Sequence, residues 1–318
     1  TNRITTKDKK KLLWLLSFVT FFMSAVLDNL TTTIVIIMLL RKLIEDKKER
    51  WLFACIIVIA ANSGGAFSPI GDVTTIMLWV KGNVTTAGVI PNVFLPSLIS
   101  MLIPTFIASF FLKGELTSER EEVSCHRHKV EEYVTSTDQK IIFFMGVGAL
   151  LFVPIFKSVT HLPPFVGVLL GLGVLWVYTE LFYHKSKHIP EDSKARISDI
   201  IGRIDLTTIL FFLGILMAVA ALQCAGILGM LSDFLDKNVG NIYVIDIIIG
   251  VLSSIVDNVP LVAGSMGMYP IATEAQILAD PSMAPYAVDG VFWLFLTYCA
   301  GVGGSILIIG SAAGVVVM

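Results

Sequence analysis

Asp28, Asp72 and Asp257 are carboxylates set within apolar stretches whose other polar residues are amides and hydroxyls rather than Lys, Arg or His. A charged Asp at the centre of a membrane helix costs roughly 2.5 to 3.5 kcal/mol on insertion scales, so such a residue is read as functional by default. The chemistry open to it is narrow: it binds a proton or a hard cation. Burial favours a protonated carboxyl and a bound cation favours the ionised one, so the two compete for the same oxygens, and that competition is the basis of exchange. Asn29, Asn62, Asn258, Thr74, Thr75, Ser253, Ser305 and Ser311 stand in the same segments and would add neutral ligands or orient the carboxylates. Each has a structural alternative. Asp28 and Asp257 would serve as helix caps, as would Asp72 after Gly71, and the neutral residues as interhelical hydrogen-bonders.

These residues occur in a two-part signature found twice. Ser24 to Asn29 (SAVLDN) precedes Asn62 to Thr75 (NSGGAFSPIGDVTT), and Ser253 to Asn258 (SSIVDN) precedes Gly301 to Gly314 (GVGGSILIIGSAAG). Aligned without a gap, Ser24, Asp28 and Asn29 fall on Ser253, Asp257 and Asn258, and Gly64, Gly65 and Gly71 fall on Gly303, Gly304 and Gly310. Asp72 falls on the uncharged Ser311, which marks it as the one specialised charge and the expected binder of a transported cation. Paired interruptions of apolar segments in corresponding halves are the best sequence pointer to the binding site of a secondary transporter.

Composition supports a membrane setting. Of the 318 residues 55% are hydrophobic and 15% charged, and the formal net charge is -2. The mean hydropathy is +0.81. This fits a polytopic, all-α membrane protein and offers no basis for nucleic-acid binding. Thr1 begins the sequence and the apolar run at Met318 is unfinished, so further helices are expected beyond both ends. Cys55, Cys125, Cys224 and Cys299 lack metal-type spacing, and three of them read as buried small apolar residues. His126, His128, His161, His184 and His188 read as solvated, and Glu115, Glu180, Asp205 and Asp246 as solvated or capping residues near membrane boundaries.

Lys and Arg give a topology. Residues 12–40 are too long for one span and are basic on both flanks, which predicts a re-entrant hairpin entered from the cytoplasm with Asp28 and Asn29 at its tip. Residues 52–80 are expected to cross outward as a broken helix and 90–112 to return, completing a first repeat over 1–113. A cytoplasmic connection over 114–138 leads to a second repeat over 139–318, with helices at 141–156, 164–183 and 206–235, the last bent near Gly226. A second hairpin at 242–268 and a broken helix at 289–318 follow, in the opposite orientation. All Lys and Arg except Lys81, Lys157 and Lys237 then lie on the cytoplasmic side. The expected architecture is therefore two inverted-topology repeats, each with a re-entrant helical hairpin and a broken transmembrane helix.

At these residues the chain resembles the NhaD-type sodium/proton antiporters of the ion transporter superfamily. The resemblance runs from about Lys9 to Met318, and its most specific elements are Asp28-Asn29 followed by Thr31-Thr32-Thr33, the Asn62 to Thr75 segment, and Asp257-Asn258-Val259-Pro260. It implies inverted repeats, a homodimer, and exchange of cytoplasmic Na+ or Li+ for external H+ without a further cofactor. It also implies roles in activity for Asp28, Asn29, Asn62, Asp72, Thr74, Thr75, Ser253, Asp257 and Asn258. Ser305 and Ser311 enter mainly through the internal repeat. The family's usual occurrence favours a bacterial inner membrane, with a plastid envelope as the alternative.

Three other functions compete. A dicarboxylate or arsenite carrier of the same superfamily would share the fold, but Asp28 and Asp257 would repel an anionic substrate. An intramembrane aspartyl protease would use Asp72 and Asp257 as acid and base, yet Pro69 and Val256 depart from that class's Gly-x-Gly-Asp and Tyr-Asp patterns. A passive channel is disfavoured by the paired broken helices. The expectation is a transporter, not an enzyme.

Overall fold

A computed structural model describes residues 8–44, 46–112, 114, 136–160, 162–185, 206–307, 310–311 and 313–314. Most of the expected connection over 114–138, the loop from 186 to 205 and the last residues of the 289–318 segment lie outside the described residues, as do Cys125, His126, His128, His161 and His188.

The described residues are helical, with no β-strand among them. The helices are α1 (Lys9–Leu27), α2 (Asn29–Leu43), α3 (Lys47–Ala66), α4 (Val73–Lys81), α5 (Thr86–Phe111), α6 (Ser136–Thr160) and α7 (Pro164–Lys185). They continue with α8 (Leu206–Cys224), α9 (Ile227–Asn238), α10 (Ile242–Leu252), α11 (Asn258–Met268), α12 (Glu274–Ala279), a 3-10 turn over Pro281–Tyr286, and α13 (Val291–Gly303). The chain divides into two compact units, one formed by Thr1–Ser118 with Leu213–Met318 and the other by Glu119–Phe212.

In the first unit, α1, α2 and α5 pack on α3, while α13 packs on α10, α3, α5 and α4. Leu12, Leu16, Ile36, Leu40, Phe53 and Ile57 anchor a buried apolar cluster shared by α1, α2 and α3, and Ala108 and Leu112 add α5 to it. The opposite faces remain apolar and exposed: on α5, Phe106 is 55% and Phe110 62% exposed, so apolar character here does not mean interior. In the second unit α6 packs against α7, with only 6% of the apolar window of α6 buried. Helices this apolar and this uncovered suit lipid as their solvent. Among the described residues five helices are long and apolar enough to cross a membrane, or six if α8 and α9 form one bent span.

Small residues account for the close helix contacts of the first unit, because apolar burial gives little drive toward association inside lipid. At Gly64 a β-carbon would fall on the Phe21 carbonyl, and at Gly303 on the Gly250 carbonyl. At Gly71 it would lie 2.9 Å from the Ser24 carbonyl oxygen, and at Gly310 2.6 Å from that of Ser253. Ser24 Oγ donates to the Ala61 carbonyl at 2.6 Å, and Ser253 Oγ donates to the Ala300 carbonyl at 3.0 Å. Every one of these pairs joins positions that match in the sequence repeat, so equivalent residues make equivalent contacts.

One feature differs from expectation. The cysteines were expected to be buried, but Cys55 and Cys224 are exposed and Cys299 alone among the described ones is buried. The reason is again that an outward face of a membrane helix is apolar. The 206–235 segment is divided into α8 and α9, set 73° apart across Gly226, whose φ of 74° suits a residue without a β-carbon.

The sequence gives no warning of Asp289, which ties the α4–α5 turn to the start of α13. Its carboxylate accepts from Thr85 N and Thr85 Oγ1, both at 2.6 Å, and its N–H donates to the Asn83 carbonyl at 3.0 Å. Asp289→Ala is expected to lower stability by about 2 kcal/mol through the two lost charge-assisted bonds. Thermal unfolding in detergent checks this, with Asp289→Asn expected to lose less.

Candidate functional site

Each polar segment of the repeat falls where a helix stops and another starts. Asp28 separates α1 from α2, residues 67–72 separate α3 from α4, residues 253–257 separate α10 from α11, and α13 ends at Gly303 ahead of Gly310 and Ser311. Such breaks bring unpaired carbonyls from the ending helix and unpaired N–H groups from the starting one. Asp28, Asp72 and Asp257 are the N-caps of α2, α4 and α11, and each accepts a backbone N–H two or three residues ahead. A carboxylate is favoured there by the helix dipole as well as by the hydrogen bond.

The three carboxylates nevertheless have different surroundings. Both oxygens of Asp28 are held by Thr31, from its N–H at 2.8 Å and its hydroxyl at 2.9 Å. Asp28 also has φ 71° and ψ 161°. That region is populated almost only by glycine and costs about 1–3 kcal/mol. Asp257 accepts from Val259 N at 3.3 Å and has an unstrained backbone. Both are partly exposed, whereas Asp72 is 2% exposed. Among the described residues no three His, Cys, Asp or Glu side chains group closely enough to hold a metal ion together. Asp28 and Asp257 therefore act on Asp72 through space while their oxygens cap their own helices.

Asp72 is where the two copies of the signature meet. Its Oδ2 accepts from Asn29 Nδ2 at 3.2 Å and from Asn258 Nδ2 at 3.4 Å, and these asparagines are repeat equivalents. Its Oδ1 accepts from Thr74 N at 3.1 Å. Asn29 Nδ2 also donates to Asn62 Oδ1 at 3.1 Å, and Asn62 Nδ2 donates to Ser305 Oγ at 2.9 Å and Ser311 Oγ at 3.0 Å. A β-carbon on Gly301 would stand 3.0 Å from Ala66 Cβ and 3.6 Å from Asp72 Oδ2, so this glycine lets α13 approach α3 closely beside the carboxylate. Among the described residues no Lys, Arg or His pairs with Asp72.

Of the residues singled out from sequence, Asn29, Asn62, Asp72, Asn258, Ser305 and Ser311 form one connected network. Ser253 lies apart from it, bonded to the Ala300 carbonyl. Thr74 and Thr75 are fully buried; the Thr74 hydroxyl faces the Asp72 carboxylate, and that of Thr75 has no hydrogen-bond partner. The hydroxyl of Ser63 is likewise buried and unpartnered. A buried, unpartnered hydroxyl in the helix turn that Asp72 caps, that of Thr75, is suited to a hard cation, which takes oxygen ligands. Sequence reasoning missed Gly301, although its place in the second glycine-rich segment was a usable signal. It also missed the carbonyls of Ala61 and Ala300, for which residue type gives no signal.

The chain is similar to several known proteins. Residues 2–288 match the family model described as CitMHS, citrate transporter. The chain is 45% identical over its whole length to sodium/proton antiporter 1 of Arabidopsis thaliana, of which it spans 52%. It is 46% identical to sodium/proton antiporter 2 of the same plant, spanning 71% of that protein. Over 97% of its length it is 34% identical to the Na+/H+ antiporter NhaD of Vibrio parahaemolyticus, spanning 73% of it. The chain thus spans about half the length of the first relative and about seven-tenths of the other two. The chain has the apolar helices of a multi-pass membrane protein. It belongs to the CitMHS transporter family and, within it, to the NhaD-type sodium/proton antiporters.

Proposed function

We propose that the chain exchanges cytoplasmic Na+ or Li+ for external H+ by alternating access, with Asp72 as the carboxylate both ions share. The observation that carries this is the charge balance at Asp72: a buried carboxylate whose direct partners are all neutral donors. A buried charge without a counter-charge is costly, so the site requires a proton or a metal cation. Asn62, Thr74, Thr75, Ser305 and Ser311 supply neutral oxygens for the cation, while Asp28, Asp257 and Ser253 shape the helix breaks around it.

In this proposal the segments 12–40 and 242–268 are re-entrant hairpins, the segments 52–80 and 289–318 are broken transmembrane helices, and the repeats over 1–113 and 139–318 are inverted. The equivalent glycine and serine contacts of the two copies support that repeat relation. A homodimer is part of the same proposal. Relatives from a plant and from bacteria lead us to retain both the bacterial inner membrane and the plastid envelope as locations.

The family description names citrate, so an anion carrier is the second reading. A citrate site calls for cationic or N–H-rich surroundings, and an unneutralised Asp72 opposes it. The two are separated by proteoliposomes containing the full-length protein, with internal pH recorded after adding Na+, Li+, K+ or citrate. Proton movement driven by Na+ or Li+ is expected. Radiolabelled citrate uptake without any cation-driven proton movement would reverse the assignment.

Asn29 and Asn258 give a finer test, because both donate to the same oxygen. Loss of one hydrogen bond to a charged group is worth about 1.5–3 kcal/mol, so Asn29→Ala and Asn258→Ala should each raise the Na+ concentration for half-maximal exchange about tenfold or more. Similar penalties at the two positions are expected.

A further inference from the structure

Asp246 stands out from every other acidic residue described outside the Asp72 network. From sequence it is expected at a membrane boundary, solvated or capping. Instead it is 0% exposed in the second turn of α10, and neither of its carboxylate oxygens has a hydrogen-bond partner. The capping role is taken by Asn241, which accepts from Tyr243 N and Val244 N. Asp246 shares a helix face with Gly250 and Ser253, one and two turns along, because residues four and seven apart align on a helix. That face meets α13, where Gly250 closely approaches Cys299 and Ser253 bonds the Ala300 carbonyl.

We propose that Asp246 is a second proton-binding carboxyl of the transport cycle, placed between the Asp72 network and the protein surface at Asp236. This rests on the antiporter reading above. Among the described residues, the phenols of Tyr269 and Tyr286 and the thiol of Cys299 lie within electrostatic reach of Asp246. Its neighbours Ile245 and Ile249 border an apolar pocket to which α8, α9 and α11 contribute no titratable side chain. A buried carboxyl without a base or a set of oxygen ligands is a poor cation site, and a proton is the charge partner it accommodates. Intramembrane acids in such positions belong to ion paths and proton relays.

The way out runs through Tyr269. Its hydroxyl, on a side chain 5% exposed, donates to Asp236 Oδ1 at 3.1 Å, and Asp236 itself is exposed. In the transfer, the Tyr269 proton passes to the Asp236 carboxylate and the Asp246 proton reaches Tyr269 over an intervening water, because Asp246 has no direct hydrogen-bond partner. Asp236 then releases its proton to water. The net change is one proton moved from Asp246 to solvent, with Tyr269 unchanged. On the inner side, α13 continues from Cys299 to Gly301, which borders Asp72 Oδ2.

The test uses the full-length protein in proteoliposomes, with two readouts: Na+-driven proton flux across a pH series, and exchange of radiolabelled Na+ for unlabelled Na+. Asp246→Asn, a near-isosteric neutral change at an unpartnered site, should reduce proton flux about tenfold or more while leaving Na+/Na+ exchange within about twofold. Asp246→Glu should retain flux with a displaced pH profile, and Tyr269→Phe should slow flux severalfold with Asp246 in place. Wild-type flux and pH profile in both Asp246→Asn and Tyr269→Phe would overturn the proposal. So would equal loss of both readouts in an Asp246→Asn protein that melts normally. Absence of Na+-driven flux in the unmodified protein would instead remove the antiporter reading, and the role of Asp246 with it.

Discussion

Asp72→Asn is expected to abolish Na+-driven proton movement, by at least about a hundredfold, the scale on which a proton-transfer group contributes. The substitution keeps the shape of the side chain and the acceptor for Thr74 N, so α4 retains its cap. What it removes is the charge. Asn29 and Asn258 both donate to Oδ2, and an amide nitrogen placed there would face two donors with a third. The neutral site would then neither attract a cation nor exchange a proton for one. Asp28→Asn and Asp257→Asn are expected to be milder, because those carboxylates face the amides of their own helix starts and reach Asp72 only through space. Initial rates in proteoliposomes, normalised to reconstituted protein, give the comparison.

Gly64→Val and Gly303→Val are expected to prevent folding rather than impair transport. At both positions the first carbon of any side chain meets a backbone carbonyl of the neighbouring helix, Phe21 for Gly64 and Gly250 for Gly303. A flexible side chain can turn aside, but a backbone carbonyl can move only with its helix. Overpacking of this kind typically costs about 1–3 kcal/mol and more where backbone must shift, and each variant should lie at or beyond the upper end. A control is Gly264→Ala on α11, where nothing lies within 4 Å of the added carbon. It should be close to neutral, with the helix preference for Ala over Gly giving up to about 1 kcal/mol in its favour. Size-exclusion profiles and melting temperatures of the three detergent-solubilised variants distinguish these outcomes.

Much of the central network is legible in the sequence because it is built from polar residues in an apolar background. Asn29, Asp72 and Asn258 stand out by type, and the internal alignment already pairs the two asparagines that meet at Asp72. The helix breaks are legible for a related reason: Gly, Pro and Ser clusters interrupt long apolar runs. The same alignment singles out Asp72, and what the sequence does not carry is how far the oxygens of Asp28 and Asp257 are left free to share in the site. That depends on which oxygens are used by local N–H groups, a matter of backbone direction at each cap.

Burial is the other quantity that sequence conveys poorly here. In a water-soluble protein an apolar helix face marks the interior, so Cys55 and Cys224 would be expected inside. On a lipid-facing surface the rule loses its force, and both are exposed. Asp246 fails in the opposite sense, since a carboxylate five residues into a helix near an apparent boundary suggests solvent. Its fully buried position follows from the tight approach of Gly250 to α13 one turn later. Asp289 shows a third kind of omission, a long-range tie to Thr85 that neither spacing nor type announces.

The most direct measurement is proton release on Na+ binding to the purified full-length protein in detergent, followed with a pH indicator in weakly buffered solution. If Asp72 binds the two ions competitively, added Na+ should release protons saturably, K+ should release few, and Asp72→Asn should release none. Saturable Na+ binding with no proton release, or release unchanged in Asp72→Asn, would contradict a shared site at this carboxylate.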